Sequence, residues 1–475
     1  MARREARARK GSGAGSGQEG KGLPAALILL PFFEVSYCFP RCLKFVSQPV
    51  KTVLITLITG LVLLGVMLRP WKLNEAVVAL AGAGLLLVLG LITPQALLLT
   101  LVQDWNTFFF FLGMMGLSAL AETAGFFDWL AAVTARLAGG SRRQLFLNTF
   151  LLGSLISMFL SNDATALILT PILYSLTTRL RLPVLPYLFA CTFIADTASF
   201  LLPVSNPINI IVLSAFPLDL WTFLRFLFVP SLVAISINIG VFFWLYRGPL
   251  RGQFESKRLP PASASIPHQG YFRYTCIVLG LVAICYVIAA AVRVPLSFIA
   301  MAGALTLLFG AWYWKQNTLK ETGKQISWSI FGFIAGMFIL VQALENTGLI
   351  AQFGLLLLHL SGGTSEGAVL VGTVGTVAGT NLINNVPMAV VMTSSLHHLA
   401  HAPLAVQQGF IAATIFGCDL GPNVTTVGSL APVLWLLILR RRGLEVSGLD
   451  YFKVGVMVTP LMLVAGAFTI WLLLQ

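Results

Sequence analysis

The 475-residue chain is 57% hydrophobic and only 10% charged, with a mean hydropathy of +0.88, against roughly 25% charged residues in a soluble domain. That composition excludes a water-soluble globule, and the longest polar interval, residues 247–268, is too short to hold a catalytic domain. The net charge of +13 does not point to nucleic acid, because the basic residues are confined to short loops and an N-terminal arm, the pattern that orients a chain in a bilayer.

In chain order, residues 1–22 read as a disordered basic cytoplasmic tail, charged and then rich in Gly and Ser, without the apolar run of a cleavable signal. Residues 23–48 form an N-terminal extension and a candidate extra helix, apolar but interrupted by Glu34, Arg41 and Lys44. From there to the C-terminus, apolar stretches long enough to cross a bilayer, about 20 residues each, recur between short Gly/Pro breaks. Spans are expected near residues 51–69, 75–93 and 106–121. The six cysteines follow no secreted-framework spacing, and no disulfide is expected.

The chain repeats itself. The segment from Phe111 to Gly125 (FLGMM…ETAG) returns from Ile334 to Gly348 (IAGMF…ENTG), so that Glu122 and Glu345 stand 345 − 122 = 223 residues apart. The same offset relates Asn162 to Asn385 and Asp196 to Asp419 (385 − 162 = 419 − 196 = 223). A single offset across three separated motifs predicts two copies of one unit, bounded here as residues 49–246 and 273–475 with a cytoplasmic linker at 247–272. Arg136, Arg142, Arg143, Arg179 and Arg181 flank the first Asn segment, whereas residues 346–439 contain no Lys or Arg. Because short cytoplasmic loops collect basic residues, the copies are expected in opposite orientation. The predicted fold is an all-α polytopic membrane protein with two inverted-topology repeats, re-entrant hairpins and discontinuous transmembrane helices.

Around Asn162 two apolar runs, each too short to cross alone, join through Ser161-Asn162-Asp163-Ala164-Thr165, and the second copy turns at Asn384-Asn385-Val386-Pro387. Both read as hairpins re-entering from opposite faces, tolerated at depth only around a cavity or within protein. The next spans are broken as well, one carrying Asp196, Thr197, Ser199 and Asn206 between prolines, the other Asp419, Thr425 and Ser429 near Pro422. Broken helices leave backbone groups at mid-membrane that can hold an ion or polar solute. The expected substrate-binding residues are Asn162, Thr165, Thr197, Ser199, Asn206, Asn384, Asn385, Thr425 and Ser429. Carboxylates within apolar runs are costly and mostly functional, so Asp163, Asp196 and Asp419 are the expected proton carriers, with capping of a half-helix as the plainer alternative. Glu122 and Glu345, near span ends, read as interfacial. No catalytic residue, cofactor or metal site is expected. His397, His398 and His401 lack a Cys or carboxylate close in sequence and read as a polar exterior loop, and Cys418 as a packing residue.

The motifs SNDATALILTPIL, FIADTASFLLPVSNPINI, NNVPM and GCDLGPNVTTVGSLAPVLWL resemble the signatures of the arsenical pump membrane protein family of the ion transporter superfamily, over roughly residue 50 to the end. The resemblance implies a multi-pass protein of the cell inner (plasma) membrane that exports arsenite and antimonite, by proton antiport or with a soluble ATPase at the cytoplasmic face. It departs from the family at residues 1–48 and at Asn423, where a Lys is expected after Gly-Pro. The alternative is a sodium/proton antiporter or anion transporter of the same superfamily. An intramembrane aspartyl protease is disfavoured, because Asp419 sits in Gly417-Cys418-Asp419-Leu420-Gly421 rather than Gly-x-Gly-Asp. A passive channel would not accumulate its solute.

Overall fold

The computed structural model describes residues 47–68, 74–216, 218–255, 259 and 261–475. The expectations for residues 1–22 and for nearly all of 23–48 fall outside this range. The first half comprises α1 (Gln48–Leu68), α2 (Glu75–Val88), α3 (Pro94–Gln103), α4 (Trp105–Thr123), α5 (Phe126–Leu137) and α6 (Arg142–Phe159), then α7 (Asn162–Ala164) running through a π-turn (Thr165–Leu169) into α8 (Thr170–Arg179), and α9 (Val184–Thr197), α10 (Pro207–Ala215) and α11 (Leu220–Leu245). The second comprises α12 (Gln269–Ala291), α13 (Leu296–Tyr313), α14 (Leu319–Gln325), α15 (Trp328–Glu345), α16 (Leu349–Leu360), α17 (Ser365–Ile383), α18 (Asn385–His397), α19 (Leu404–Leu420), α20 (Leu430–Arg441) and α21 (Gly448–Leu473).

Eight of the described helices are long and apolar enough to cross a membrane, nine if the bent pair α3–α4 counts as one span. Their outer faces suit lipid rather than water. In α21 Val464, Phe468 and Leu472, spaced one turn apart, are 73%, 55% and 50% exposed, a stripe that a soluble helix would turn inward. The protein is an all-α polytopic membrane protein.

The 223-residue offset holds at the level of caps and turns. Shifted by it, α5 spans 126 + 223 = 349 to 137 + 223 = 360, the bounds of α16. Each of this pair follows a left-handed glycine, Gly125 (φ 74°) and Gly348 (φ 80°), a conformation that costs a residue with a Cβ about 1–2 kcal/mol. Ser141 caps α6 by accepting from Gln144 N, and its equivalent Thr364 caps α17 by accepting from Gly367 N. The halves also pack reciprocally: α4 of the first lies on α13 of the second, and α15 of the second on α2 of the first. Gly113 and Gly336, again 223 apart, sit at these two crossings. A Cβ at either would meet backbone, at 2.5 Å from the Ala300 carbonyl carbon and 2.7 Å from that of Ala79.

The breaks fall where the prolines and amides stand. α6 stops before Ser161 and α17 before Asn384. Both of these residues, equivalent by the offset, lie in a region that only glycine enters freely, Ser161 at φ 151° and ψ 159°, Asn384 at φ 78° and ψ 155°. Strain of this kind costs on the order of 1–3 kcal/mol and persists where the surroundings over-determine it. It reverses the chain at both hairpin tips. Between α9 and α10, and between α19 and α20, the chain leaves the helix for several residues before Asn206 and Ser429 start the next segment.

Candidate transport site

Four half-helices begin at one place. A cavity of about 50 Å³ is lined by Asn162, Asn206, Asn384, Asn385 and Ser429, which are the cap or first residues of α7, α10, α18 and α20. A helix N-terminus carries about half a positive charge on its unpaired N–H groups, so four of them converge on oxygen-rich chemistry. At roughly 10–15 Å³ per water, the space suits a solute of three or four heavy atoms.

Carboxylates stand in and behind this lining. Asp163 and Glu75 line the cavity itself. Asp196, fully buried, accepts at Oδ1 from Asn162 Nδ2 (3.0 Å), and Asp419, fully buried, accepts at Oδ1 from Asn206 Nδ2 (2.6 Å). The second bond joins the two repeats. Asn206 also holds its own helix, its Oδ1 accepting from Ile208 N (3.1 Å). Oδ2 of both aspartates has no hydrogen-bond partner, and Asp196 lies within electrostatic reach of both Asp163 and Asp419. Among the described residues, no Lys or Arg lines the cavity.

The structure thus gathers Asn162, Asp163, Asn206, Asn384, Asn385 and Ser429 at the cavity, with Asp196 and Asp419 one hydrogen bond away. Thr165, Thr197, Ser199 and Thr425 are not part of its wall. Thr165 bonds within the first hairpin, to Ser157 Oγ (2.8 Å) and Ser161 O (2.9 Å). Ser199 Oγ donates to Asp196 O (2.7 Å), and Thr425 Oγ1 to Asn381 Oδ1 (2.6 Å). Thr197 joins a separate cluster. Glu75 is absent from the expected set, although an acidic residue opening an apolar run behind Asn74 was a visible signal.

A second cavity of about 260 Å³ shares Phe111, Asp163, Pro207 and Ile330 with the first and reaches Glu122, Gln325 and Ser327. It forms a route from the start of α15 to the hairpin tip. At the far ends of α10 and α18, Phe216 stacks on His397 with ring centroids 4.6 Å apart. The sequence offers His398 no neighbouring carboxylate, but the fold brings Glu345 to 3.9 Å from its Nε2, because α15 ends beside the end of α18.

A helical membrane protein with broken spans around a pocket lined by amides and carboxylates, and a larger cavity adjoining it, has the build of a transporter. A family described as citrate transporter matches residues 61–416. The arsenical pump membrane protein of Yersinia enterocolitica is 31% identical over 365 residues, 75% of this chain and 83% of that one. That of Escherichia coli K12 is 30% identical over 397 residues, covering 82% and 92%. A putative arsenical pump membrane protein of Bacillus subtilis is 28% identical, covering 83% and 93%. The chain belongs to this family of arsenical pump membrane proteins and citrate transporters. Among solved structures, the YdaH transporter of Alcanivorax borkumensis has a similar fold, with a TM-score of 0.55 at 14% identity over 89% of this chain and 98% of that one.

Proposed function

We propose that this protein exports arsenite, and with it antimonite, from the cytoplasm in exchange for protons. The observation that carries the reading is the cavity itself: four helix N-termini and amide side chains around a space of about 50 Å³. Arsenous acid is small, neutral at pH 7 and carries three hydroxyls, so it can donate to Asn oxygens and accept from Asn N–H and helix N-termini. At about 50 Å³ the space is too small for a tricarboxylate anion. The arsenical pump relatives therefore describe the substrate better than the citrate description of the family.

Asp163, Asp196 and Asp419 carry the exchanged proton, the last two held beside the cavity by the amides of Asn162 and Asn206. One proton against a neutral molecule supplies about 2.3 kcal/mol per 100 mV, and roughly 150 mV then sustains a few-hundredfold gradient. The halves, residues 49–246 and 273–475, oppose each other in the bilayer, with residues 247–272 linking them in the cytoplasm. In support, Arg136, Arg142, Arg143, Arg179 and Arg181 flank the first hairpin, whereas residues 346–439 carry no Lys or Arg, as expected of copies facing opposite sides. In this orientation Gln325 and Ser327 are cytoplasmic and the open route faces inward. The membrane is the cell inner (plasma) membrane, and a soluble ATPase can dock on the cytoplasmic loops.

Everted vesicles bearing the protein should accumulate arsenite when energised, and a protonophore should abolish it. Accumulation of citrate, or arsenite uptake driven by sodium and indifferent to the protonophore, would overturn the proposal.

A further inference from the structure

Behind the cavity lies a second polar cluster that the transport site does not use. Thr197, Asn238 and Asn423 are each fully buried and come from three elements, the end of α9, the middle of α11 and the turn after α19. Asn238 Nδ2 donates to Thr197 Oγ1 (2.7 Å), and so does Asn423 Nδ2 (3.1 Å). The hydroxyl has one proton, and it goes to Phe193 O at 2.7 Å. Both lone-pair positions of Thr197 Oγ1 are therefore taken by amide donors, which fixes the orientation of both amides.

The cluster is specific to one side of the pseudo-symmetric pair. By the 223-residue offset, Thr197 corresponds to Leu420 (197 + 223) and Asn423 to Phe200 (423 − 223), so the second repeat cannot form the equivalent bonds. The chain accommodates it tightly, since a Cβ at Gly455 of α21 would strike Asn423 O. Thr197 directly follows Asp196, and Asn423 lies four residues after Asp419. A knot between them sets where the two carboxylates stand relative to each other.

We infer that Thr197, with Asn238 and Asn423, is a positioning residue for transport: a cross-repeat latch that holds the end of α9, and so Asp196, against the second repeat without touching the substrate. The latch rests on the exchange reading only through its transport readouts. Replacing Thr197 with the near-isosteric Val removes the acceptor from the Asn238 amide and leaves Asn423 Nδ2 only its longer contact to Phe193 O (3.4 Å); leaving a buried donor unmade costs on the order of 1–3 kcal/mol, enough for about a tenfold change in a local opening equilibrium. Thr197→Ser keeps the oxygen.

The test uses the full-length protein in proteoliposomes. For Thr197→Val, hydrogen exchange of the amides at 194–198 should accelerate about tenfold or more, whatever the transported solute. The arsenite half-saturation constant should stay within twofold, while the maximal exchange rate falls about tenfold and its pH profile moves. Thr197→Ser should restore both rates. Asn238→Leu, which leaves Asn423 in place, should give a smaller change in the same direction and serves if the Val variant does not fold. A rise in half-saturation with an unmoved pH profile would make Thr197 a substrate contact, and unchanged hydrogen exchange would remove the latch; either result overturns the inference.

Discussion

Asn206 does two jobs that can be separated by size. Its Oδ1 caps α10 through Ile208 N, and its Nδ2 donates to Oδ1 of fully buried Asp419 at 2.6 Å. Truncation to Ala removes both. Loss of the cap costs about 1 kcal/mol and loss of a hydrogen bond to a carboxylate about 1.5–3 kcal/mol, so Asn206→Ala should destabilise the protein by about 3 kcal/mol. Ser retains a capping hydroxyl but is too short to reach Asp419, so Asn206→Ser should cost about 2 kcal/mol. The built-in control is Ser429, its equivalent by the offset (206 + 223), whose hydroxyl makes no capping bond and has no partner; Ser429→Ala should stay within about 0.5 kcal/mol. Denaturant titration in detergent micelles, followed by the loss of helical circular dichroism, ranks the three. If Ser429→Ala falls as far as Asn206→Ala, or Asn206→Ser matches the parent, the bond between Asn206 and Asp419 does not hold the repeats together.

Other perturbations probe the fold and the chemistry. Gly113→Ala and Gly336→Ala each press a methyl onto the backbone of a crossing helix and should cost about 1–3 kcal/mol apiece, whereas Gly84→Ala, with nothing within 4 Å, should gain up to about 1 kcal/mol; the same denaturation assay reads all three. Asp219, before α11, accepts from Thr222 N (2.7 Å) and pairs with Arg293 (3.2 Å), contacts that hold its carboxyl below the ordinary 3.8, the backbone bond first. A depressed folded value means its contribution is present above the unfolded value and lost as pH falls through the folded one. Protection of the Thr222 amide from hydrogen exchange should therefore drop below about pH 4, and Asp219→Asn, which still caps, should abolish that dependence. Asp196→Asn and Asp419→Asn should each abolish proton-coupled accumulation in vesicles while the protein still inserts; normal transport by both would assign these groups to capping alone.

The site's asymmetry follows from the way a duplicated chain diverges. Both aspartates receive their amide from the first repeat, Asn162 and Asn206. The equivalent donors of the second, Asn385 and Ser429, face the cavity. The first repeat thus supplies the donors that hold the carboxylates. The Phe216–His397 contact joins the two repeats, and the bonds from Asn206 to Asp419 and from Asn423 to Thr197 lie on the same boundary.

Much of this architecture was legible without coordinates, because its signals are local. Apolar length marks a span, Pro and Asn mark the breaks, and a constant offset marks the duplication, so both hairpin tips and six cavity-lining residues could be read from the chain alone. Tertiary structure decided which polar side chains of each break turn inward. Thr165, Thr197, Ser199 and Thr425 sit beside cavity residues in sequence, yet each bonds to protein instead, while Glu75 reaches the cavity from a helix start 87 residues before Asn162. Hydropathy and spacing say how deep a residue lies in the membrane; its direction depends on which helix of the other repeat crosses at that depth, and the bond from Asn206 to Asp419 spans 213 positions, a separation at which no local pattern specifies the partner.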